Sequence, residues 1–255
     1  MSSFDKAAAT YDSSFTFSKI GISQRKRVWS YLDKILNRDK KLSILELNCG
    51  TGEDALYFAK RGHYVIATDL STSMLEMVKN KIPDELKKHI KTQFLDLLNP
   101  IIDEESTFDL IFSNFGGLNC LSFEEMEQIA QFIEQRLNKY GDFVAIIMPE
   151  NTSLEKLFRI KKGNINEFQK RNSKKPLYVN VNGTSVATYY YNQESMKSIF
   201  SRMKVIETRA VGFIPSYLEK SKFLPIFRLL DFGSLLFNLN PNKADHYLIH
   251  FKKTI

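Results

Sequence analysis

The sequence predicts an α/β fold: a three-layer sandwich in which helices cover both faces of a mostly parallel sheet. Short apolar runs alternate with longer segments in which apolar residues recur every three or four positions, the pattern of strands joined by crossover helices. Residues 143–148 are almost uniformly apolar, which is typical of a central parallel strand buried on both faces. The chain of 255 residues suits one such domain.

Composition narrows the functional classes only a little. The chain is 43% hydrophobic and 25% charged, and its net charge of +7 permits an anionic partner without requiring one. Its two cysteines, Cys49 and Cys120, offer neither a disulfide framework nor metal-ligand spacing, so we expect no metal. The N-terminus lacks the layout of a signal peptide and no apolar run reaches 18 residues. We therefore expect a cytoplasmic protein without a transmembrane segment.

The most informative stretch is a strand, a glycine turn and a helix, followed by a second strand. Residues 44–54 read ILELNCGTGED, and Gly50 and Gly52 remove side chains where backbone must approach a ligand or take a positive φ. The second strand, residues 64–68, ends at Asp69. An acid at this place can accept hydrogen bonds from both ribose hydroxyls of a nucleoside.

The order of acids and glycines distinguishes between nucleoside ligands. A dinucleotide-binding turn reads G-x-G-x-x-G, so that a pyrophosphate can lie on the helix N-terminus. Here the order is E-x-N-x-G-x-G, and Glu46, Glu53 and Asp54 surround it. These carboxylates would repel a pyrophosphate but suit a ligand that bears a sulfonium and an ammonium. A nucleotide-dependent oxidoreductase is therefore disfavoured.

The stretch resembles motif I of the class I S-adenosylmethionine-dependent methyltransferases, whose usual form is [DE]-x-G-x-G-x-G. Asn48 replaces the first glycine, and asparagine tolerates a left-handed conformation better than most residues. The resemblance implies a Rossmann-like sheet of seven strands with an antiparallel last strand, methyltransferase activity, and S-adenosylmethionine as cofactor, with S-adenosylhomocysteine as product. It implies cofactor contacts from Tyr11, Arg25, Glu46, Asn48, Cys49, Gly50, Gly52, Asp69, Leu70, Met74, Asp96, Leu97, Asn114 and Phe115.

Several of these positions have specific expected roles within the family. Residues 1–36 would include a lid in which Tyr11 covers the cofactor, although a frayed terminus is the alternative. Arg25, in a basic run, could meet the cofactor's carboxylate or lie on a solvated helix face. Asp96 would accept the adenine amino group while Leu97 packs on the ring. The loop that begins at Asn114 and Phe115 would face the methyl group.

The remaining chain predicts further elements and a small substrate cap within a single domain, 1–255. The cap is an insertion at about 151–192, basic in its first part and ending in a β-hairpin that turns at Asn182-Gly183. Residues 215–241, rich in Phe and Leu, could form packed helices, a homo-oligomer contact, or a greasy substrate wall or membrane-surface contact. We predict helices over 21–36, 53–61, 71–80, 122–137 and 193–203, and strands over 91–95, 108–113, 143–148, 204–213 and 245–252.

Methyl transfer from a sulfonium mainly requires alignment, so neither a nucleophile nor a metal is needed. Tyr11 and His246 are the candidates for a catalytic base, although His246 could equally be structural. The loop Asn114-Phe115-Gly116-Gly117 differs from the Asn-Pro-Pro-[Tyr/Phe] of enzymes that methylate exocyclic amines of nucleic-acid bases. We therefore expect a small-molecule acceptor and consider nucleic acid an unlikely partner. An RNA or other anionic substrate, and a non-catalytic methyltransferase-like binding module, are the alternatives.

Overall fold

The computed structural model describes residues 4–5, 8–37, 40–103, 105–150, 174–181, 183–214, 219 and 240–254. The strands in these residues are β1 (Ser43–Leu47), β2 (Tyr64–Asp69), β3 (Ile90–Phe94), β4 (Phe108–Ser113), β5 (Leu137–Ile147), β6 (Leu177–Val181), β7 (Thr184–Thr188), β8 (Lys204–Gly212) and β9 (His246–Lys252). The helices are α1 (Ala8–Tyr11), α2 (Lys19–Leu36), α3 (Glu53–Ala59), α4 (Thr72–Lys81), α5 (Phe123–Arg136) and α6 (Gln193–Ile199).

Seven of the strands form one sheet in the order β3-β2-β1-β4-β5-β9-β8. Strands β1 to β5 pair in parallel, whereas β9 runs antiparallel to both of its neighbours, β5 and β8. This confirms the predicted mostly parallel sheet with an antiparallel last strand. Because β9 runs the other way, its first residue, His246, lies at the edge where the parallel strands end.

Two hydrophobic clusters cover the two faces of the sheet, which makes the sandwich three-layered. Along β5, Phe143 and Ala145 belong to the cluster that includes α5 and α6, whereas Val144 and Ile146 belong to the cluster of α2, α3 and α4. This alternation is the period of two that a strand buried on both faces must show. The uniformly apolar run in the sequence is therefore the central strand.

The predicted first residues of the helices agree with the structure better than the predicted last residues do. Ser71 accepts a hydrogen bond from the backbone N–H of Met74, and Ser122 and Glu125 form the predicted capping box. The predicted helix through residue 137 is one residue too long, because Leu137 already begins β5. The predicted helix 193–203 ends earlier, at Ile199.

The start of β5 is the largest difference from the predicted boundaries, since the sequence pattern predicts this strand only from residue 143. Phe108 of β4 pairs with Leu137, but Leu110 pairs with Asp142. The intervening residues are therefore extra on β5, and Tyr140 among them has a φ of 60°. Such a bulge adds residues without changing the pairing on either side, so the hydrophobic pattern alone gives no sign of it.

The predicted hairpin is β6 paired with β7, and Gly183 in its turn has a φ of 87°. Asn182 lies outside the described residues, as do 151–173 of the predicted cap. The predicted contact region 215–241 also lies outside them, except for Glu219 and residues 240 and 241.

The buried side chain of Asn119 helps to attach the exit of this hairpin to the sheet. Asn119 Nδ2 donates to the carbonyl oxygens of Met148 (3.1 Å) and Tyr189 (2.6 Å), and its Oδ1 accepts from Met148 N (2.9 Å). Asn119 is fully buried, so these bonds satisfy groups that water cannot reach. The chain after the hairpin is thereby attached just beyond the carboxyl end of β5.

Within the part of the chain that the structure describes, no helix is long and apolar enough to cross a membrane.

Candidate functional site

The glycine turn between β1 and α3 adopts a left-handed backbone at three positions. Asn48, Gly50 and Gly52 have φ values of 56°, 53° and 86°. A Cβ on Gly52 would lie 2.8 Å from a methyl of Val78, so this glycine serves the packing of α3 against α4. A Cβ on Gly50 would meet only the ring of Tyr11, at 3.7 Å. Gly50 is therefore the position at which backbone is open to a ligand beneath Tyr11.

Asp69 closes β2 and faces this turn. The carboxylate is buried, and its two oxygens accept hydrogen bonds from the backbone N–H groups of Gly50 (2.9 Å) and Ser71 (2.8 Å). Burial raises the pKa of Asp69 to about 6, although the backbone N–H groups oppose this shift. A carboxylate oxygen can accept two hydrogen bonds, so each oxygen of Asp69 can still accept one from a ligand hydroxyl.

Glu46 is the more unusual acid, because one of its oxygens is buried without a partner. The residue lies on β1 between Ala67 and Phe112 of the neighbouring strands and is only 1% exposed. Burial raises its pKa well above the ordinary value, Asp54 adds to the shift and Arg25 opposes it. A buried carboxyl group in this state is best satisfied by a cationic or hydrogen-bond-donating ligand.

The unpartnered Oε2 of Glu46 is not isolated. Among the described residues, buried side-chain atoms without a hydrogen-bond partner also include Asn48 Oδ1, Ser113 Oγ and Arg25 Nε. Arg25 and Asp54 are near enough to Glu46 to affect its pKa. Ser113 is level with Leu47 on β1 and therefore lies on the other face of the sheet from Glu46. Buried polar atoms are nearly always paired in folded proteins, so the unpaired atoms of Glu46 and the neighbouring Arg25 indicate a polar ligand site.

Asp54, in the first turn of α3, is by contrast fully partnered. Its Oδ1 accepts from Trp29 Nε1 (2.6 Å), and its Oδ2 accepts from Asn114 Nδ2 (2.8 Å) and from Arg25 Nη1 (3.4 Å). The carboxylate therefore joins α2, α3 and the loop after β4. Asn114 is used for this connection, and its Oδ1 also accepts from the backbone N–H of Phe115 (2.9 Å).

Arg25 lies at the boundary of this network. Its guanidinium is 5.1 Å from the centre of the Phe115 ring, and the side chain is buried. Lys26 is exposed, and Arg27 donates to the carbonyl oxygen of Val211. Of the basic run, Arg25 is thus the residue that the fold directs into the site.

The described part of the N-terminal segment lies across the glycine turn, where the lid is predicted. Thr51 Oγ1 donates to Asp12 (2.5 Å), and Lys81 forms an ion pair with the same carboxylate. Burial would raise the pKa of Asp12, but the hydrogen bonds from Lys81 and Thr51 outweigh burial and hold the pKa below its ordinary value. A second attachment is the hydrogen bond from Ser71 Oγ to Asp5 (2.6 Å).

Aromatic contacts continue from the segment into the loop after β4. The ring of Tyr11 lies 5.7 Å from that of Phe15, which packs edge-on against Phe115 at 5.1 Å. Burial raises the pKa of Tyr11 to about 12, so this phenol stays protonated at neutral pH. Tyr11 therefore contributes a ring and a neutral hydroxyl above Gly50.

The other predicted contacts lie around the same edge but differ in exposure. Met74 is buried in the first turn of α4, whereas Leu70 is 41% exposed. Cys49 is buried, and burial raises its thiol pKa well above the ordinary value. Asp96, after β3, accepts from the backbone N–H of Leu98 in a local turn, and Leu97 packs in the hydrophobic core.

His246 and His63 lie at opposite edges of the sheet. The Nδ1 atom of His246 is 2.9 Å from Asp245 Oδ2, and the imidazole is edge-on to Phe115 at 5.8 Å. His63 is buried at the amino edge, where its Nδ1 accepts from the backbone N–H of Leu42. No three His, Cys, Asp or Glu side chains among the described residues are grouped so that they could hold a metal ion.

Sequence reasoning misses the contacts that hold the site together. The bonds between Trp29 and Asp54 and between Asp12 and Thr51 join residues far apart in sequence, and no local pattern signals them. The same is true of Glu219, whose carboxylate accepts hydrogen bonds from the first two backbone N–H groups of α2. Of the residues in these contacts, Asp54 is the one that the sequence indicates, because the helix dipole favours an acid in the first turn of α3.

Comparisons with known proteins agree with this geometry. Residues 44–141 match the family model described as a methyltransferase domain. The chain is 28% identical over 61 residues to a magnesium-protoporphyrin O-methyltransferase of Rhodobacter capsulatus, covering 24% of this chain and 27% of that protein. It is 30% identical over 119 residues to a malonyl-[acyl-carrier protein] O-methyltransferase of Hamiltonella defensa, covering 47% and 41%.

A third relative acts on a different kind of molecule. The chain is 32% identical over 78 residues to the tRNA 5-carboxymethoxyuridine methyltransferase of Escherichia coli strain K12, covering 30% of each protein. The chain spans less than half the length of each of these three relatives. Their names alone therefore do not determine what this chain methylates.

Solved structures share the fold over nearly the whole chain. The CcbJ methyltransferase of Streptomyces caelestis superposes with a TM-score of 0.65 at 13% identity, covering 99% of this chain and 98% of that one. The magnesium protoporphyrin IX methyltransferase of Synechocystis, solved with bound S-adenosylhomocysteine, gives 0.57 at 12% identity, covering 92% and 83%. At such identities the likeness concerns the fold alone. The family match over residues 44–141 and this shared fold support the class I S-adenosylmethionine-dependent methyltransferase family that motif I predicts.

Proposed function

We propose that this protein transfers the methyl group of S-adenosylmethionine to a small-molecule acceptor. The observation that carries the proposal is the unpartnered buried Oε2 of Glu46, near Arg25 and beside an open glycine turn that Asp69 faces. A ligand with ribose hydroxyls at one end and cationic groups at the other would satisfy both acids.

Each end of the cofactor has residues that fit it. Asp69 would accept hydrogen bonds from the two ribose hydroxyls. Glu46 would face the ammonium of the methionine end, directly or through water, because its Oε2 lacks a partner. Arg25 Nε, also unpartnered, suits the carboxylate at that end. Asp96 would accept the adenine amino group, with Leu97 beside the ring.

When bound, the cofactor supplies a methyl group on a positively charged sulfur, which an acceptor atom displaces in line. The protein's task is alignment, and orientation can contribute roughly 7–11 kcal/mol. Phe115 and Phe15 would close the site from water on the side of the transferring methyl, and Tyr11 would cover the nucleoside. Asp54 holds Asn114 and Arg25 in place for this purpose.

The identity of the acceptor is the finer part of the proposal. Two of the three relatives above are O-methyltransferases by name, which favours oxygen as the methylated atom. The relative that acts on tRNA, together with the net charge of +7, makes RNA the second candidate. The loop that begins at Asn114 differs from the motif of enzymes that methylate exocyclic amines of bases, and this supports the small molecule.

Binding of a nucleic-acid acceptor should depend on salt much more steeply than binding of a small-molecule acceptor. We expect labelled RNA and DNA to bind weakly, with no change when Lys161, Lys162, Lys174 and Lys175 are replaced by Ala. Transfer of radiolabelled methyl should reach a small-molecule extract rather than total tRNA. Binding that is tight, falls steeply with salt and disappears in the lysine variant would contradict the small-molecule assignment, since neutralised phosphates release counterions.

Asp69→Asn should weaken S-adenosylhomocysteine binding at least about tenfold, because hydrogen bonds to a charged group contribute about 1.5–3 kcal/mol each. The same change should stabilise the ligand-free protein near neutral pH. Folding raises the pKa of Asp69 from 3.8 to about 6, so the folded state disfavours the ionised carboxylate. The resulting loss of stability is complete above pH 6 and absent well below pH 4. The gain above pH 6 should reach at most about 3 kcal/mol.

Calorimetric titration and thermal unfolding at pH 4 and pH 7.5 measure both effects, and Asp103→Asn, at an exposed acid, is the matched control. Unchanged affinity in a folded Asp69→Asn protein would contradict the ribose role. A stability difference that does not depend on pH would show that the carboxylate's charge is not what the fold disfavours.

Glu46→Gln should weaken binding of S-adenosylhomocysteine but not of adenosine, which lacks the methionine end. Because burial raises the pKa of Glu46, a cationic partner should drive the carboxyl group to release its proton on binding. Titrations in buffers of different ionisation enthalpy count these protons, and Glu46→Gln should release fewer. An equal loss of affinity for both ligands would mean that Glu46 supports the fold instead.

A further inference from the structure

Asp245 and His246 bring an acid and an imidazole to the edge of the sheet that carries the cofactor site. His246 begins β9 and pairs with Gly212 of β8, level with the residue after the end of β5. Side chains alternate along a strand, so His246 shares a face with Leu248 and His250. That is the face covered by α2, because Leu248 packs in the cluster that includes α2, and His250 contacts Tyr31 of α2.

The hydrogen bonds around Asp245 determine the orientation of the imidazole. Asp245 Oδ2 lies 2.9 Å from His246 Nδ1 and also accepts from Gln24 Nε2 at 3.3 Å. The backbone N–H of Asp245 donates to Gly212 O at 2.6 Å, which holds the main chain at Asp245 against β8. A carboxylate at Nδ1 favours the tautomer with the proton on that nitrogen, so Nε2 carries the lone pair.

The surroundings of His246 connect it to the reacting end of the cofactor site. Phe115, directly after Asn114, has a φ of 46°, an unusual conformation for a bulky residue. The centre of its ring lies 5.8 Å from that of the imidazole, in an edge-on contact, and 5.1 Å from the guanidinium carbon of Arg25. Among the described residues, the charged groups that face His246 are thus Asp245 beside it and Arg25 across Phe115.

His250, on the same strand and face, shows what a purely structural histidine looks like here. Its Nε2 is 2.9 Å from Asp142 Oδ1 and its Nδ1 is 2.7 Å from the Tyr31 hydroxyl, so both nitrogens have partners. In His246, only Nδ1 has a hydrogen-bond partner among the described residues. The difference leaves Nε2 of His246 able to accept a proton.

We propose that His246 is the catalytic base for an acceptor that carries a hydroxyl group, and that Asp245 is its positioning residue. The inference rests on the proposed methyl transfer and deepens it. The hydroxyl proton moves to His246 Nε2 while the oxygen's electron pair forms the bond to the methyl carbon. The carbon–sulfur bond breaks, and its electron pair stays on sulfur. The positive charge thus passes from the sulfonium to the imidazolium, which later returns the proton to water.

This chemistry specifies an acceptor whose oxygen is protonated at neutral pH, such as a phenol or an alcohol. A carboxylate is already ionised and would need no base. General base catalysis typically contributes about 10²–10⁴-fold, so the role can be separated from binding by rate measurements.

The test compares two methyl transfers that share the cofactor site but differ in the need for a base. Phenol, catechol and benzyl alcohol serve as hydroxyl probes with S-adenosylmethionine. Methyl iodide with S-adenosylhomocysteine gives S-adenosylmethionine and iodide, and no proton moves. His246→Gln should slow transfer to the hydroxyl probe by about 100-fold or more and leave the methyl iodide reaction nearly unchanged.

The pH dependence and two further variants complete the test. The wild-type rate with the hydroxyl probe should rise with pH and then level off, and His246→Gln should lack this rise. Asp245→Asn should shift the rise and reduce kcat more than KM, as a positioning role requires. His250→Gln, the matched control, should leave the ratio of the two reactions unchanged in folded protein.

Three results would overturn the assignment while the methyl iodide reaction still proceeds in the wild type. These are an equal loss of both reactions in His246→Gln, an unaffected hydroxyl reaction in that variant, and no methylation of any hydroxyl probe by the wild type. Failure of the wild type both to bind S-adenosylhomocysteine and to react with methyl iodide would overturn the proposed function itself, and this inference with it.

Discussion

The arrangement of the site depends on the hydrogen bonds that the carboxylate of Asp54 accepts. This carboxylate accepts hydrogen bonds from Trp29 and Arg25 of α2 and from Asn114 in the loop after β4, while belonging to α3. Hydrogen bonds to a buried carboxylate are stronger than those between neutral groups, and removing one partner leaves a charge uncompensated. Helix α2, the start of α3 and the loop after β4 are therefore held together through one side chain.

The buried acids of the site differ in how many hydrogen-bond donors their carboxylate oxygens have. Asp54 has three side-chain donors, Asp69 has two backbone donors, and Glu46 has an oxygen with none. The pKa values of Asp69 and Glu46 are raised accordingly, since burial without enough donors disfavours the ionised form. Asp54 thus supports structure, whereas Glu46 and Asp69 are left in states that a ligand with cations and hydroxyl donors would relieve.

Local signals in the sequence are sufficient for much of the fold and for the position of the site. The glycine turn, the capping residues Ser71 and Ser122, and the left-handed conformation of Asn48 each depend on a few neighbouring residues. At Gly52 the motif predicts a close approach to a ligand or a positive φ; the φ is 86°, and the missing side chain also leaves room for the contact with Val78 of α4. That contact forms only when α4 packs back on the turn, so sequence spacing could not reveal it.

The parts that sequence could not predict are set by contacts between distant segments. Asn119 attaches the hairpin exit to the end of β5, and Asp12 attaches the N-terminal segment to Thr51 of the turn and to Lys81 of α4. The bulge before Asp142 adds residues without altering the hydrophobic pattern that predicts a strand. In each case the residue type is ordinary for its position, and only the three-dimensional neighbour gives it a role.

The buried acids around the glycine turn should select a nucleoside that carries an ammonium group and reject one that carries a pyrophosphate, and this selectivity is the central claim. Competitive binding of S-adenosylhomocysteine and ADP tests it most directly, because both ligands contain adenosine and they differ in the charge of the group attached to its ribose. We expect ADP to bind about 100-fold more weakly, since like charges brought together without a counter-ion cost several kcal/mol. Binding of ADP as tight as that of S-adenosylhomocysteine would contradict the claim.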